Sequence, residues 1–242
     1  MNEPFLYQTT LDMCSVDFTG HWQPGAVFRA MQEAADGHCR LLRLTFEELR
    51  KLGLAWVLTR ARLQMDEYPV LGRTVTVRTW PGATRHMFFP RYFLFEADGR
   101  KLGRASALFV LLDLETRKIA LPSRLGQAMP AFDIPAPLPF PGNLRAVDAP
   151  AAEHGYTPVY MDLDMNGHVN NTRYVDWFMN QFAPERHEKQ MVSDLLVHYN
   201  FEVLPGETLA LSLADGGGRS TLYGRHGDTV CFGVEGAWKD RA

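Results

Sequence analysis

Leu163-Asp164-Met165-Asn166-Gly167-His168-Val169-Asn170-Asn171 stands in the second half of the chain, and Val16-Asp17-Phe18-Thr19-Gly20-His21 echoes its first six residues in the first half. A helical pattern follows each copy. After the later one, Tyr174, Val175, Phe178, Met179 and Phe182 recur at helical spacing. After the earlier one, Ala26, Val27, Ala30, Met31, Ala34 and Ala35 form an apolar stripe behind Pro24, which suits a first helical turn. The repeat continues: Gly72-Arg73-Thr74-Val75-Thr76-Val77 is echoed by Gly206-Glu207-Thr208-Leu209-Ala210-Leu211. The offset is 147 between His21 and His168 and 134 between Gly72 and Gly206, so the first half carries the longer connection after its helix.

Around these anchors the chain alternates between strand and turn. Phe5, Tyr7 and Thr9 begin a strand whose register runs on to about residue 17. The first helix spans residue 24 to about 44, and a second, short one covers 46–52 and ends at Gly53. Strands are expected over 55–65, 74–80, 86–95 and 102–112, with Pro90 marking a bulge or an edge in the third. In the second half they are expected over 194–203, 208–213, 220–225 and 229–238, with Asp215-Gly216-Gly217-Gly218 as a hairpin turn. Consecutive strands without intervening helices argue for antiparallel sheets. Residues 128–150 are rich in Pro and Ala and read as a semi-rigid linker. The division is therefore an N-terminal unit, 1–127, a linker, 128–150, and a C-terminal unit, 151–242. Each unit is an α+β arrangement of a strand, a central helix and an antiparallel sheet.

The copies differ in their polar residues. In an extended segment, residues two apart share a face, which groups Asp164, Asn166, His168 and Asn170. Asn170 or Asn171 is placed to cap the following helix, whose free N–H groups would suit a developing negative oxygen. The first copy has Thr19 where the second has Asn166, and Trp22-Gln23-Pro24 where it has Val169-Asn170-Asn171. At the 134 offset, Glu202 stands opposite Tyr68. One copy is equipped for carbonyl chemistry and the other is scaffold, giving one site per chain.

Composition bounds the rest. The chain has 242 residues, of which 46% are hydrophobic and 22% charged, with a net charge of −3. This allows a large core and gives no general argument for nucleic-acid or membrane binding. Three cysteines, Cys14, Cys39 and Cys231, show no metal or disulfide spacing and fit a reducing compartment. The start Met1-Asn2-Glu3-Pro4-Phe5 lacks the basic and apolar runs of a signal peptide, and no apolar stretch approaches the roughly 20 residues of a membrane span. No G-x-S-x-G, G-x-G-x-x-G or H-E-x-x-H is present, so no nucleophile elbow, dinucleotide cofactor or zinc helix is expected.

At Asp164-Met165-Asn166-Gly167-His168-Val169-Asn170-Asn171 and at Glu202, 34 residues beyond His168, the chain resembles the acyl-acyl-carrier-protein thioesterases of plant plastids and bacteria. Residues 160–177 carry the strongest likeness; 60–80 and 105–121, including Thr116-Arg117-Lys118, carry a weaker one. The resemblance implies a double hot-dog fold, with two tandem units each wrapping an antiparallel sheet on a long central helix. It implies Asp164, Asn166, His168 and Glu202 as the catalytic set, no cofactor or metal, and acyl carrier protein as partner. Plant members often carry a cysteine after the glutamate. Here the position is Val203, which excludes a cysteine nucleophile there and favours hydrolysis through water. With no plastid transit peptide, a bacterial, cytoplasmic member is expected.

Such a site needs an activated water and a stabilised oxyanion; the thiolate leaves readily. A partly buried Glu202 would be the general base or would attack the carbonyl itself to give a mixed anhydride. Asn166 and the helix start would steady the oxyanion, His168 would orient water or assist proton transfer, and Asp164 would position the loop. Arg85, Arg91, Arg100, Lys101 and Arg104 read as a patch for the acidic carrier or as a solvated hairpin face. Trp56, Met65, Trp80, Phe88 and Phe93 read as acyl pocket or as core. The rival readings are an acyl-CoA thioesterase of the same fold, a hot-dog dehydratase and a noncatalytic acyl-binding module. A duplicated chain supplies its own pairing, so a monomer or a homodimer is expected.

Overall fold

Pro24 starts the longest helix because its fixed φ suits the first turn, where its missing N–H costs nothing. That helix, α1 (Pro24–Leu41), buries Ala26, Val27, Ala30, Met31 and Ala34 along one stripe. It stops short of residue 44, with Arg43 in the left-handed region at φ 54°. The computed structural model describes residues 3–130, 132–144 and 152–241. Thr45 caps α2 (Phe46–Lys51) through a reciprocal pair with Glu48.

The first unit contributes β1 (Phe5–Thr10), β2 (Leu54–Met65), β3 (Thr74–Pro81), β4 (Phe89–Ala97), β5 (Arg100–Asp113) and the two-residue β6 (Ile119–Ala120). The second contributes β7 (Ala152–Tyr156), β8 (Gln190–Tyr199), β9 (Leu209–Gly216), β10 (Arg219–His226) and β11 (Thr229–Asp240). The described strands form one sheet in the order β1-β3-β4-β5-β2-β8-β11-β10-β9-β7, with β6 alongside β5. Exchanging each strand for its repeat reverses that order, so the sheet has an internal two-fold. Its seam is the antiparallel β2–β8 pair, where Arg62 faces Leu196, its own mate at the 134 offset. Arg62 closes the seam as a fork on Asp194, with Nε and Nη2 at 2.9 and 2.6 Å, and Gln64 adds a third bond at 2.9 Å.

The second helix departs from the expected length. α3 (Arg173–Met179) has 7 residues against 18 in α1, and a separate short α4 (Pro184–Lys189) follows it. Pro184 explains the break: it forces Ala183 to extended geometry at ψ 150° and begins the next helix instead. The two helices also fill their units differently. At the 147 offset, Ala30 and Ala35 of α1 correspond to Trp177 and Phe182. Trp177 packs with Tyr156, Tyr174 and Phe232, and Phe182 packs on Trp238 at 4.7 Å between ring centres. Large aromatics solidify the second unit, whereas small residues on α1 leave room in the first. The helices meet where Gly25 faces Asp176: a Cβ on Gly25 would lie 1.8 Å from Oδ1 of Asp176, so only glycine allows the approach.

Two strand ends and one proline depart from expectation. β1 ends at Thr10, not near 17, and the next residues form a loop. β8 ends at Tyr199, which leaves Glu202 in irregular chain beyond the strand. Pro90 is neither at a bulge nor on an edge strand: it is the second residue of β4, opposite Leu108, and its carbonyl takes the N–H of Gly82 just past the end of β3. The missing N–H of Pro90 points the same way as that carbonyl, towards Gly82 beyond β3, so no ladder bond to a β3 residue is lost. Of the expected linker, residue 131 and residues 145–150 lie outside the described residues. Its described part packs as a strap, with Leu138 buried, Ser106 donating to the Pro139 carbonyl at 3.0 Å and His198 bonded to the Gly142 carbonyl at 2.7 Å.

Candidate functional site

Asp164 organises the loop from its own side chain. The backbone N–H groups of Asn166 and His168 donate to Oδ1 of Asp164 at 2.8 and 3.3 Å, and the Asn166 amide approaches Oδ2 at 3.4 Å. Backbone bonds from Asp164 N to His168 O and from Gly167 N to Asp164 O close the turn, with Gly167 at φ 77° and Leu163 bridged to Val169. The polar residues therefore converge through a tight loop, not through the alternation of an extended strand. Behind the loop, the buried Asp162 accepts from Tyr156 Oη at 2.7 Å, Val159 N at 2.8 Å and Trp177 Nε1 at 3.2 Å. Burial and the Asp162 carboxylate push the Tyr156 phenol up to about 12. The Asp162 carbonyl takes the N–H of Asn170, which ties this buried cluster to the loop.

Glu202 arrives because the segment carrying it is stitched to the loop. Val203 is fully buried, and its carbonyl accepts from Val169 N at 3.0 Å. This puts Oε2 of Glu202 3.2 Å from Nδ1 of His168. Oε1 of Glu202 is held by Arg117, a first-unit residue. Arg117 stands at the tip of the turn between β5 and β6 at φ 58°, and Asp113 folds that turn by accepting from Thr116 N and Oγ1. Arg117 lies in a region of weaker family likeness, where its Thr116-Arg117-Lys118 setting is the available sequence signal. The Glu202 side chain is 42% exposed, so the burial expected of it is replaced by two donor partners.

Most N–H groups around the start of α3 already have partners within the protein. α3 is capped at Thr172, and Asn170 is spent on that cap: its Oδ1 accepts from Thr172 N at 3.0 Å and Thr172 Oγ1 at 2.9 Å. The N–H groups of Val169, Asn170, Arg173, Val175 and Asp176 are each bonded within the protein. Asn166 instead carries its exposed amide to the wall of a cavity of about 330 Å³. That cavity belongs to the first unit and is lined by Ala35 and Cys39 of α1, by Leu44, Phe46 and Leu49, and by Trp56, Phe89 and Phe109 of the sheet. Of the apolar candidates, Trp56 lines it; Met65 and Phe93 are core, Trp80 is buried, and Phe88 is exposed. The basic run is no continuous patch: Arg91 is buried, Arg100 pairs with Glu67, Arg104 bonds Gln64, and Arg85 lies over the Phe140 ring. Among the described residues, no group of three or more His, Cys, Asp or Glu could hold a metal ion.

The first-unit loop has the same frame. Thr19 N and His21 N donate to Oδ1 of Asp17 at 2.9 and 3.3 Å, Gly20 lies at φ 79°, Val16 bridges Trp22, and Trp22 N donates to the Pro69 carbonyl. There the His21 ring turns back on Thr19 Oγ1 at 2.9 Å, and Tyr68 is buried with its hydroxyl on the Val192 carbonyl.

Family profiles of the acyl-ACP thioesterase N-terminal and C-terminal domains match residues 5–122 and 146–237. A chloroplastic dodecanoyl-[acyl-carrier-protein] hydrolase of Cinnamomum camphora is 32% identical over 211 residues, which is 79% of this chain and 54% of that protein. A chloroplastic palmitoyl-acyl carrier protein thioesterase of Gossypium hirsutum is 33% identical over 187 residues, 71% of this chain and 45% of its own length. The chain thus spans about half the length of these curated relatives. The crystal structure of an acyl-ACP thioesterase from Bacteroides thetaiotaomicron superposes with a TM-score of 0.89 at 25% identity, covering 97% of each chain. A 12:0-ACP thioesterase from Umbellularia californica gives 0.87 at 25% identity, covering 98% of this chain and 97% of that one.

Proposed function

The chain belongs to the acyl-ACP thioesterase family, and we propose that it hydrolyses the thioester of a fatty acyl chain on acyl carrier protein, releasing the free acid and the carrier thiol. The observation that carries this reading is the junction of two parts. Glu202 pairs with His168 on the loop whose Asn166 lines an apolar cavity. An acyl chain in that cavity would bring its thioester carbonyl to the loop.

The geometry favours a division of labour. With Nδ1 of His168 bonded to Glu202, the ring's Nε2 is the free acceptor and takes the proton from the attacking water. Glu202 fixes the ring's tautomer and stabilises the imidazolium that forms, as a carboxylate does behind other catalytic histidines. Asn166 supplies the amide donor to the carbonyl oxygen as it gains charge; one such donor is worth roughly 2.7–4 kcal/mol. Arg117 is a positioning residue that holds Glu202 from the first unit. Water adds to the carbonyl carbon, the C–S bond breaks, and the carrier thiolate recovers the proton from the imidazolium.

Three free cysteines support a cytoplasmic, reducing setting for this chain, although the curated relatives are chloroplastic. The internal two-fold supplies the pairing of units within one chain, which supports a monomer as the working unit. Matched acyl-carrier-protein and acyl-CoA substrates, assayed for thiol release, test the reading. Faster release from the carrier is expected. Faster release from CoA would keep the chemistry and change the partner, and acyl binding without release from either would make the protein a binding module.

A further inference from the structure

Arg91 is a cation where an alkyl pocket has no use for one. It lies on β4, is only 5% exposed, and lines the same cavity as Asn166. Its guanidinium donates to His38 Nδ1 at 3.1 Å, to Thr79 Oγ1 at 3.4 Å and, weakly, towards Cys39 Sγ at 3.7 Å. None of the three is an anion. Burial and the nearby Arg91 charge push His38 down to about 4, burial pushes the Cys39 thiol up, and Thr79 is a hydroxyl. Among the described residues, the one carboxylate lining the cavity, Asp36, is bound by Arg40 at 2.7 Å. A buried charge is ordinarily paired, because leaving it among neutral groups forfeits its hydration without return. A methyl-ended chain filling this cavity would leave Arg91 in that condition. An oxygen on the chain would satisfy it.

We propose that Arg91 is a specificity residue that pairs with an oxygen function, carboxylate or hydroxyl, borne on the acyl chain away from the thioester. The proposal rests on the thioesterase reading for its substrate, but pocket preference can be measured without turnover. The protein is given straight-chain acyl-carrier-protein substrates of equal length ending in methyl, hydroxyl or carboxylate. In parallel, binding of the corresponding acyl methyl esters is followed by tryptophan fluorescence, since Trp56 lines the cavity.

An oxygen-ended chain should be favoured over the methyl-ended one by about 10-fold or more, in kcat/KM and in affinity, the range for a hydrogen bond to a charged group. Arg91→Met should collapse that ratio, and Arg91→Lys should restore part of it. The hydroxyl and carboxylate arms show which oxygen is preferred. A wild-type preference for the methyl-ended chain, or a ratio unchanged in Arg91→Met, overturns the proposal; if Arg91→Met does not fold, the wild-type series alone decides. Release from methyl-ended substrates only would leave the thioesterase reading standing and this inference fallen. Oxygen-dependent binding without any thiol release would do the reverse.

Discussion

The loops at 16–22 and 163–169 are built on one set of backbone bonds: Asp17 N to His21 O and Asp164 N to His168 O are both 2.8 Å, and Gly20 and Gly167 have φ of 79° and 77°. Each aspartate gathers the N–H groups two and four residues ahead. What differs is the segment docked against each loop. In the second unit it offers Glu202 to the histidine and receives Arg117 from the first; in the first it offers the buried Tyr68, and His21 is left with Thr19. The helices diverge in the opposite sense, with alanines on α1 where the second unit has Trp177 and Phe182. The two units thus keep one backbone frame, and under the proposed function the reactive groups fall in one unit and the space for a chain in the other. A D-x-x-G-H loop is a structural device before it is a catalytic one.

The largest break in that symmetry should come from the docked segment. Glu202→Gln should lower kcat about 100-fold or more, the range for acid–base machinery, while Tyr68→Phe at the equivalent place should stay near wild type. Equal losses in both would mean that the units share the chemistry. Arg117→Ala should lower kcat about 10-fold at unchanged KM, roughly one charge-assisted hydrogen bond, with partial recovery in Arg117→Lys. A rise in KM at constant kcat would make it a substrate-binding residue instead.

Gly20→Ala and Gly167→Ala should each cost about 1 kcal/mol, the penalty for a side chain in the left-handed region. Chemical denaturation would show the two losses to be alike, yet only the second should also reduce turnover. A further effect, read only in the pH dependence of stability, lies outside both loops. His38 is pushed down to about 4 from an ordinary 6.5, so the unfolded chain takes up more protons between those values. Stability should fall as pH drops through that window, and His38→Gln should flatten this part of the denaturation curve.

Much of this frame is readable in the sequence because glycine and aspartate spacing encodes local backbone geometry. Gly20 and Gly167 announce left-handed turns, and Asp17 and Asp164 announce the acceptors that close them. Thr45 and Glu48 likewise mark α2. The aromatic content after Arg173 hides the shortness of α3, because helical spacing looks the same for one turn or five; Pro184 was the better signal. The alternation of Asp164, Asn166, His168 and Asn170 mimics a strand, although Gly167 forbids one and Asn170 is spent on the cap. Arg117 and Arg91 could not be assigned from spacing, since one acts across 85 residues and the other is distinguished only by what fails to surround it.

The central claim is that one loop reacts and its twin only holds the fold. Thiol release from an acyl-carrier-protein substrate should be measured for His168→Ala and His21→Ala, each checked for folding by circular dichroism. The account predicts a loss of about 100-fold or more for His168→Ala and turnover close to wild type for His21→Ala. Comparable losses in both, or a loss confined to His21→Ala, would contradict it.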